Sequence, residues 1–274
     1  MVAIIGSNGQ LGNELVRRCR ETGQAYVGLT HDDLDVTWDD DVYKVLFKMS
    51  PRPTVVINTA AYHNIEDCEN NPVEAHDVNA VGSANIALWC RANNAKYVYI
   101  STEFCHGTPA QSGLPLSVYA KTKLAGELAA LSICPDALVV RVAGLYGQWG
   151  CRAKGGSNFI NAVLNKIRSG QNFTLPNDTQ VYFTNARDAA IRIIVNLSKQ
   201  GVWYATDGVL RSHYAIGGAL CQLTGLPNRI LGVASDPNDV LRPRLSKAGR
   251  HLHSASTSED PLRSYLVEIG ELVE

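Results

Sequence analysis

A phenol and an ammonium four residues apart mark the middle of the chain. In Tyr119-Ala-Lys-Thr-Lys123 the two side chains share one face wherever the segment is helical. A phenol with an ordinary pKa of about 10 is a weak acid at neutral pH. An ammonium about 4 Å away, at an effective dielectric of 20, offers roughly 4 kcal/mol, enough to bring that phenol near 7. A nearby hydroxyl that polarises a carbonyl oxygen would complete a proton-delivery site. Ser101-Thr102, at the end of an apolar run, supplies one in Thr102. The chemistry is protonation of a carbonyl as it is reduced. The plain alternative is an exposed i,i+4 pair of no chemical consequence.

Reduction also needs an electron-pair donor, and the N-terminus is patterned to hold one. Gly6-Ser-Asn8-Gly9-Gln10-Leu11-Gly12 follows an apolar run and opens an amphipathic one. Glycine permits the tight turn, close approach of backbone to a pyrophosphate, and packing of helix on strand. The helix start then presents unpaired N–H groups to the phosphates. The spacing is G-x-x-G-x-x-G, and the competing reading is an ordinary glycine-rich turn. A second apolar run ends at Thr30-His31-Asp32-Asp33. An acid about 20 residues past the glycines indicates a ribose 2′-hydroxyl and NADH. Thr30 is not acidic, however, and His31 tolerates a 2′-phosphate, so NADPH and NADH both stay open.

These residues need a scaffold that alternates strand and helix. Short apolar runs at Val2–Ile5, Ala25–Leu29, Thr54–Asn58, Tyr97–Ile100 and Leu138–Arg141 read as strands. The segments 10–21, 74–93 and 117–131 read as helices. Strands that are apolar throughout and spaced by helices predict an α/β fold. Its core is a doubly wound parallel (Rossmann-type) sheet covered on both faces. The second half is less regular. Helices are expected at 156–169, 187–198, 213–224 and 261–273, with a short strand at 202–204. This predicts a dinucleotide-binding domain over residues 1–147, rejoined by 184–206. Residues 148–183 and 207–274 form a smaller C-terminal substrate lobe.

Composition narrows the function classes. The chain has 274 residues, 45% of them hydrophobic, and a formal net charge of −1. A near-neutral chain carries no electrostatic footprint for nucleic acid or an anionic membrane. No apolar stretch approaches the roughly 20 residues of a spanning helix. The N-terminus lacks the basic region and cleavage site of a signal peptide, so the expected location is the cytoplasm. The seven cysteines include no Cys-x-x-Cys pair, which leaves buried thiols in a reducing cytosol rather than disulfides or a zinc site. No protein-ligated metal is expected. His251-x-His253 is the nearest approach to ligand spacing and reads as solvated loop. Gly-x-Ser-x-Gly and His-Glu-x-x-His are both absent, which argues against a hydrolase.

Taken together, the glycine turn, Asn58-Thr-Ala-Ala61, Asn79, Ser101-Thr102-Glu103 and Tyr119-x-x-x-Lys123-Leu-Ala-Gly-Glu127 resemble the extended short-chain dehydrogenase/reductases. Within them the resemblance is to the dTDP-4-dehydrorhamnose reductases. Arg141 with Tyr146-Gly147, Asn158-Phe159, Asp178-x-Gln180 with Thr184 and Asp188, and Arg242-Pro243 extend it along nearly the whole chain. The resemblance implies NAD(P)H-dependent reduction of the C4 ketone of a nucleotide-linked 4-keto-6-deoxy sugar. Tyr119 would give the proton, Lys123 would hold the nicotinamide ribose and lower the Tyr119 pKa, and Thr102 would bond the carbonyl oxygen. Gly6, Gly9, Gln10, Leu11 and Gly12 would cradle the pyrophosphate. Asp35 and Val36 would lie near the adenine, Ala60 and Ala61 would line the groove, and Asn79 would help position Lys123. A homodimer is consistent with the superfamily.

Three departures fall on the substrate side. Glu103-Phe104 replaces the family's Asp-Tyr, the stretch from Thr102 to Tyr119 is several residues short, and Gly144 stands where a Trp is common. They keep a second reading in view, a non-catalytic cofactor-binding subunit resembling the regulatory subunit of methionine adenosyltransferase. Tyr146 and Trp149 are read either as stacking on a nucleotide base or as packing residues.

Overall fold

The computed structural model describes residues 1–106, 117–151, 155–206, 209–236 and 261–272. Arg242-Pro243, His251-x-His253 and most of the shortened stretch before Tyr119 lie outside the described residues.

The first strand, β1 (Val2–Ile5), is buried at every position. The first helix, α1 (Gln10–Glu21), turns Leu11, Leu15 and Cys19 onto the sheet, one apolar residue per turn. From there strands and helices alternate: β2 (Tyr26–Leu29), α2 (Asp39–Phe47), β3 (Val55–Asn58), α3 (Ile65–Asn70) and α4 (Pro72–His76). A π-helical turn, Asp77–Val81, runs without a break into α5 (Gly82–Ala92). Next come β4 (Lys96–Thr102), a 3₁₀ turn over Glu103–Cys105, α6 (Val118–Ile133) and β5 (Leu138–Val142).

The chain then leaves the sheet. It forms β6 (Gly144–Tyr146), α7 (Phe159–Arg168), β7 (Phe173–Pro176), β8 (Gln180–Asn185) and α8 (Ala186–Val195). It returns as β9 (Gly201–Ala205) before β10 (Leu210–Ser212), α9 (His213–Thr224), β11 (Ile230–Val233) and α10 (Pro261–Glu268). The central sheet has the order β2-β1-β3-β4-β5-β9 and is parallel throughout. Because β1 lies between β2 and β3, the winding reverses there and opens a crevice at the strands' carboxyl ends.

Alternate residues build the two faces. Ala3, Ile5, Val56, Tyr97, Tyr99 and Val139 pack with α2, α5 and α6. Val2, Ile4, Ile57, Val98, Ile100 and Val140 pack with α1 and α8. A separate core of Ile160, Leu164, Leu175, Phe183, Ile216, Leu220 and Tyr265 holds the second-half elements together. There β8 is flanked by β6 and β10, and β7 pairs with β11. Tyr146 belongs to this core, 3% exposed with its ring 5.1 Å from that of Tyr265, so it packs rather than stacks on a ligand. Trp149 is exposed and stands away from the cleft described below.

Candidate active site

A cleft of about 1400 Å³ opens at the carboxyl ends of β1, β3, β4 and β5. Gly6, Asn8, Gly9, Gln10, Leu11, Gly12, His31, Asp35, Val36, Ala60, Ala61, Thr102, Tyr119 and Lys123 all line it. Asn79 does not.

The glycine turn is shaped by backbone contacts. Gly6 has φ +78°, and a Cβ there would stand 2.6 Å from Thr59 Oγ1. A Cβ on Gly12 would come within 2.2 Å of the Gly6 carbonyl oxygen. Helix α1 starts from Gly9 with no side-chain cap, so its first N–H groups face the cleft unclaimed. The Gln10 side-chain nitrogen is buried without a protein partner. A glycine-lined groove beside an uncapped helix start fits a pyrophosphate.

The groove's far wall is tied down from β3. Thr59 Oγ1 donates to the Ile5 carbonyl at 2.7 Å, and Asn58 Oδ1 accepts from Ala60 N–H at 3.0 Å. Beyond β2 the acids are engaged within their own loops. Asp33 accepts from Thr30 N–H and hydroxyl at 2.9 and 2.8 Å, which holds its carboxyl below the usual range. Asp35 accepts from Thr37 N–H and hydroxyl at 2.9 and 2.8 Å.

Helix α6 brings the phenol and ammonium to the other end. Ser117 caps it, its hydroxyl accepting from Ala120 N–H at 3.1 Å, and Glu69 of α3 accepts from Val118 N–H at 2.7 Å. Gly126 lets α6 press against the π turn, since a Cβ there would lie 2.2 Å from the Asn79 carbonyl oxygen. The Tyr119 hydroxyl is hydrogen-bonded to Thr102, and its ring meets Phe104 edge-on at 6.4 Å. Lys123 is 1% exposed. Its ammonium donates to the Ile100 carbonyl at 2.7 Å and lies 4.1 Å from the centre of the Tyr99 ring. Burial pulls the Lys123 pKa down to about 8, with Cys105 and Glu127 opposing.

The surroundings of Tyr119 and Asn79 bear on two sequence expectations. Burial pushes the Tyr119 pKa up, and the Thr102 hydrogen bond opposes it. The Lys123 ammonium is turned to the Ile100 carbonyl. Asn79 is fully buried. Its side chain accepts from Tyr62 N–H at 3.0 Å and donates to the Tyr62 carbonyl at 2.8 Å and to Thr122 at 3.0 Å.

Behind Thr102 lies a buried ion pair. Arg141 donates to both carboxylate oxygens of Glu127, at 2.8 and 2.6 Å. Glu127 also accepts from the Ser101 hydroxyl, and Arg141 donates to Tyr204 at 2.9 Å. Fork-on-carboxylate geometry fixes the carboxyl edge of β4 against β5.

Residues 1–257 match the family described as the RmlD substrate binding domain. The chain belongs to this family. It is 31% identical over 288 residues to a dTDP-4-dehydrorhamnose reductase of Mycolicibacterium smegmatis, covering 99% of this chain and 84% of that one. It is 30% identical over 284 residues to the dTDP-4-keto-6-deoxy-D-glucose reductase of Streptomyces niveus, covering 94% and 96%. The fold matches the crystal structure of a dTDP-4-dehydrorhamnose reductase from Bacillus anthracis in complex with NADP, with TM-score 0.86 and 22% identity over 97% of each chain. The doubly wound α/β fold and the membership of the extended short-chain dehydrogenase/reductases are thereby shown.

The second wall contains residues to which the sequence analysis gave no role in the site, although Phe159 stood in a matching motif. His63, Cys151, Phe159, Phe183 and His213 line the cleft opposite the glycine turn. Phe159, Phe183 and His213 form one aromatic cluster, with ring centres 4.7 to 5.3 Å apart. They come from four segments spread over 150 positions, so no local spacing announces them.

Proposed function

We propose that this protein reduces the C4 ketone of a nucleotide-linked 4-keto-6-deoxy sugar, using NADPH or NADH. The chain is an NAD(P)-dependent oxidoreductase of a reductase family, and the reading extends its activity to named residues. The observation that carries it is the Thr102–Tyr119 hydroxyl pair at the junction of the glycine-lined groove and the aromatic wall. Residues 1–147 and 184–206 hold the cofactor, and 148–183 and 207–274 form the substrate lobe.

A bound nicotinamide supplies the hydride. Thr102 and Tyr119 both donate to the ketone oxygen, which gathers charge as the carbon becomes tetrahedral. One such prealigned donor is worth about 3 kcal/mol. Tyr119, kept protonated by burial, releases its proton to that oxygen. Lys123, one helical turn from Tyr119, would hold the nicotinamide ribose. Gly6, Asn8, Gly9, Gln10, Leu11 and Gly12 would hold the pyrophosphate. His31, Asp35 and Val36 sit at the adenosine end, and Ala60 and Ala61 line the groove between. Asn79 acts from behind by fixing the Tyr62 peptide.

No helix among the described residues is long and apolar enough to cross a membrane. The reading is of a cytoplasmic enzyme that acts on a small molecule, as a homodimer.

The test is a panel of 4-keto-6-deoxy sugar nucleotides with each reduced cofactor, followed by loss of nicotinamide absorbance. Turnover with at least one is expected. Cofactor binding with no turnover across the panel would overturn the reading in favour of a non-catalytic binding subunit.

A further inference from the structure

We propose that Cys151 and His63 form a nucleophilic thiol pair in the substrate half of the cleft. Cys151 is then a site of covalent modification by thiol-reactive compounds, with low-molecular-weight disulfides as the natural class. Six of the seven cysteines are buried, and Cys151 alone is half-buried and lines the cleft. Its sulfur lies 3.1 Å from His63 Nε2.

The other ring nitrogen of His63, Nδ1, lies 3.2 Å from the Ala61 carbonyl oxygen. A carbonyl only accepts, so Nδ1 carries the hydrogen and Nε2 turns its lone pair to the thiol. A thiol facing an imidazole that is oriented by a third group is how cysteine nucleophiles are activated.

Both partners are held in place. Cys151 N–H donates to the Ser157 carbonyl at 3.2 Å, and Gly156 N–H donates to the Cys151 carbonyl at 3.0 Å. The arms of this short bridge close only because position 150 is glycine, since a Cβ there would stand 1.7 Å from the Gly156 carbonyl oxygen. On the other side His63 follows Tyr62, whose N–H and carbonyl are both bonded by Asn79. Asn79 therefore orders the thiol pair, a use of this residue that its spacing did not announce. Cys151 and Tyr119 line the same cleft.

The chemistry balances as thiol–disulfide exchange. His63 Nε2 takes the thiol proton, and the Cys151 sulfur attacks one sulfur of the disulfide. A new S–S bond forms as the old one breaks, and the departing thiolate recovers the proton from His63. Cys151 is oxidised to a mixed disulfide and the departing half is reduced to a thiol. The adduct fills the space opposite the glycine turn. Loss of turnover rests on the function proposed above, whereas the thiol chemistry does not.

The test uses the full-length native protein with iodoacetamide and, separately, oxidised glutathione, read by intact mass and peptide mapping. Cys151 should react at least about tenfold faster than the six buried thiols, and its rate should persist below the ordinary thiol pKa of about 8.5. His63→Asn should slow it by about tenfold. The pH profile of the unmutated protein carries the test if that variant does not fold. Turnover should fall in proportion to the Cys151 adduct while the cofactor still binds. Reaction no faster than the buried thiols, or a rate that follows an ordinary thiol titration and ignores His63→Asn, overturns the pair. Full modification with turnover intact overturns the block. Fast labelling in a protein that reduces no sugar nucleotide supports the pair and rejects the reductase reading instead.

Discussion

The two walls of the cleft are made differently. The cofactor wall is mostly backbone: a glycine turn, an uncapped helix start and strand ends, all within residues 6–61 and 101–123. The opposite wall is side chains from separate segments, His63, Cys151, Phe159, Phe183 and His213. Backbone geometry tolerates few substitutions because added atoms meet atoms that cannot move away. A side-chain wall can change shape and chemistry while its scaffold stays. Of the departures from the family pattern that fall on described residues, Phe104 and Gly144 line the cleft. The first wall is therefore constrained by its own backbone, and the second by side chains that can be exchanged one at a time.

The largest blow to that comparison falls where the walls meet. Tyr119→Phe should lower turnover by about 10²–10⁴-fold, with the cofactor dissociation constant nearly unchanged. Wild-type turnover in steady-state assays would remove Tyr119 as the acid. Glu127→Ala should leave Arg141 buried without its partner and cost about 3–5 kcal/mol of stability. Denaturant unfolding measures this, and a loss under 1 kcal/mol would show that the pair does not brace β4.

On the cofactor wall alone, Gly12→Ala should weaken cofactor binding by roughly 10–100-fold, about 1.4–2.8 kcal/mol, because its methyl group would stand 2.2 Å from the Gly6 carbonyl oxygen and 2.8 and 2.9 Å from backbone carbons of Ser7, so the glycine turn itself must shift. Titration by nicotinamide fluorescence tests it, and unchanged affinity would mean that the turn can relax.

Lys123 links both walls to pH. Its folded pKa of about 8 lies below the ordinary 10.5, so as the pH rises through 8 the ammonium is lost. Turnover should decline above pH 8, while Tyr119, raised by burial, stays protonated. The stability sign is opposite. Below pH 8 the folded state bears the full desolvation cost of the charge, and from 8 to 10.5 the unfolded state binds more protons, so this contribution to stability rises with pH. Unfolding across that window, compared with Lys123→Met, should show the difference shrinking upward of pH 8. A difference that is constant with pH would place the ammonium in water.

The smallest effect tests the freedom of the second wall. A Cβ at Gly144 meets Phe183 at 3.4 Å, an ordinary contact. Gly144→Trp should therefore fold, shift KM for a sugar nucleotide by roughly 3–10-fold, about 0.7–1.4 kcal/mol, and leave cofactor affinity alone. Equal changes in both constants would break the division between the walls.

The sequence by itself determined the sheet and the first wall. Apolar runs placed β1 to β5, and α1 was legible to the residue because Leu11, Leu15 and Cys19 repeat at helical spacing right after the glycine turn. Tyr119, Lys123 and Thr102 were readable because a short pattern reports on one helix face and one strand end. The helix α2 was passed over although Asp39, Asp40 and Asp41 at its start favour the positive end of the helix dipole. The six residues of α3 are too short to show a period. The π turn, the strands of the lobe and the aromatic wall were illegible for a different reason. They depend on pairings such as Gly144 with Phe183 and Leu210 with Tyr182, and on where Asn79 finds its partners. Only the tertiary structure decided that Lys123 bonds the Ile100 carbonyl and that His63 meets Cys151 across 88 positions. Local spacing carries the geometry of one element, while the distance between two elements is set by packing that no window of sequence contains.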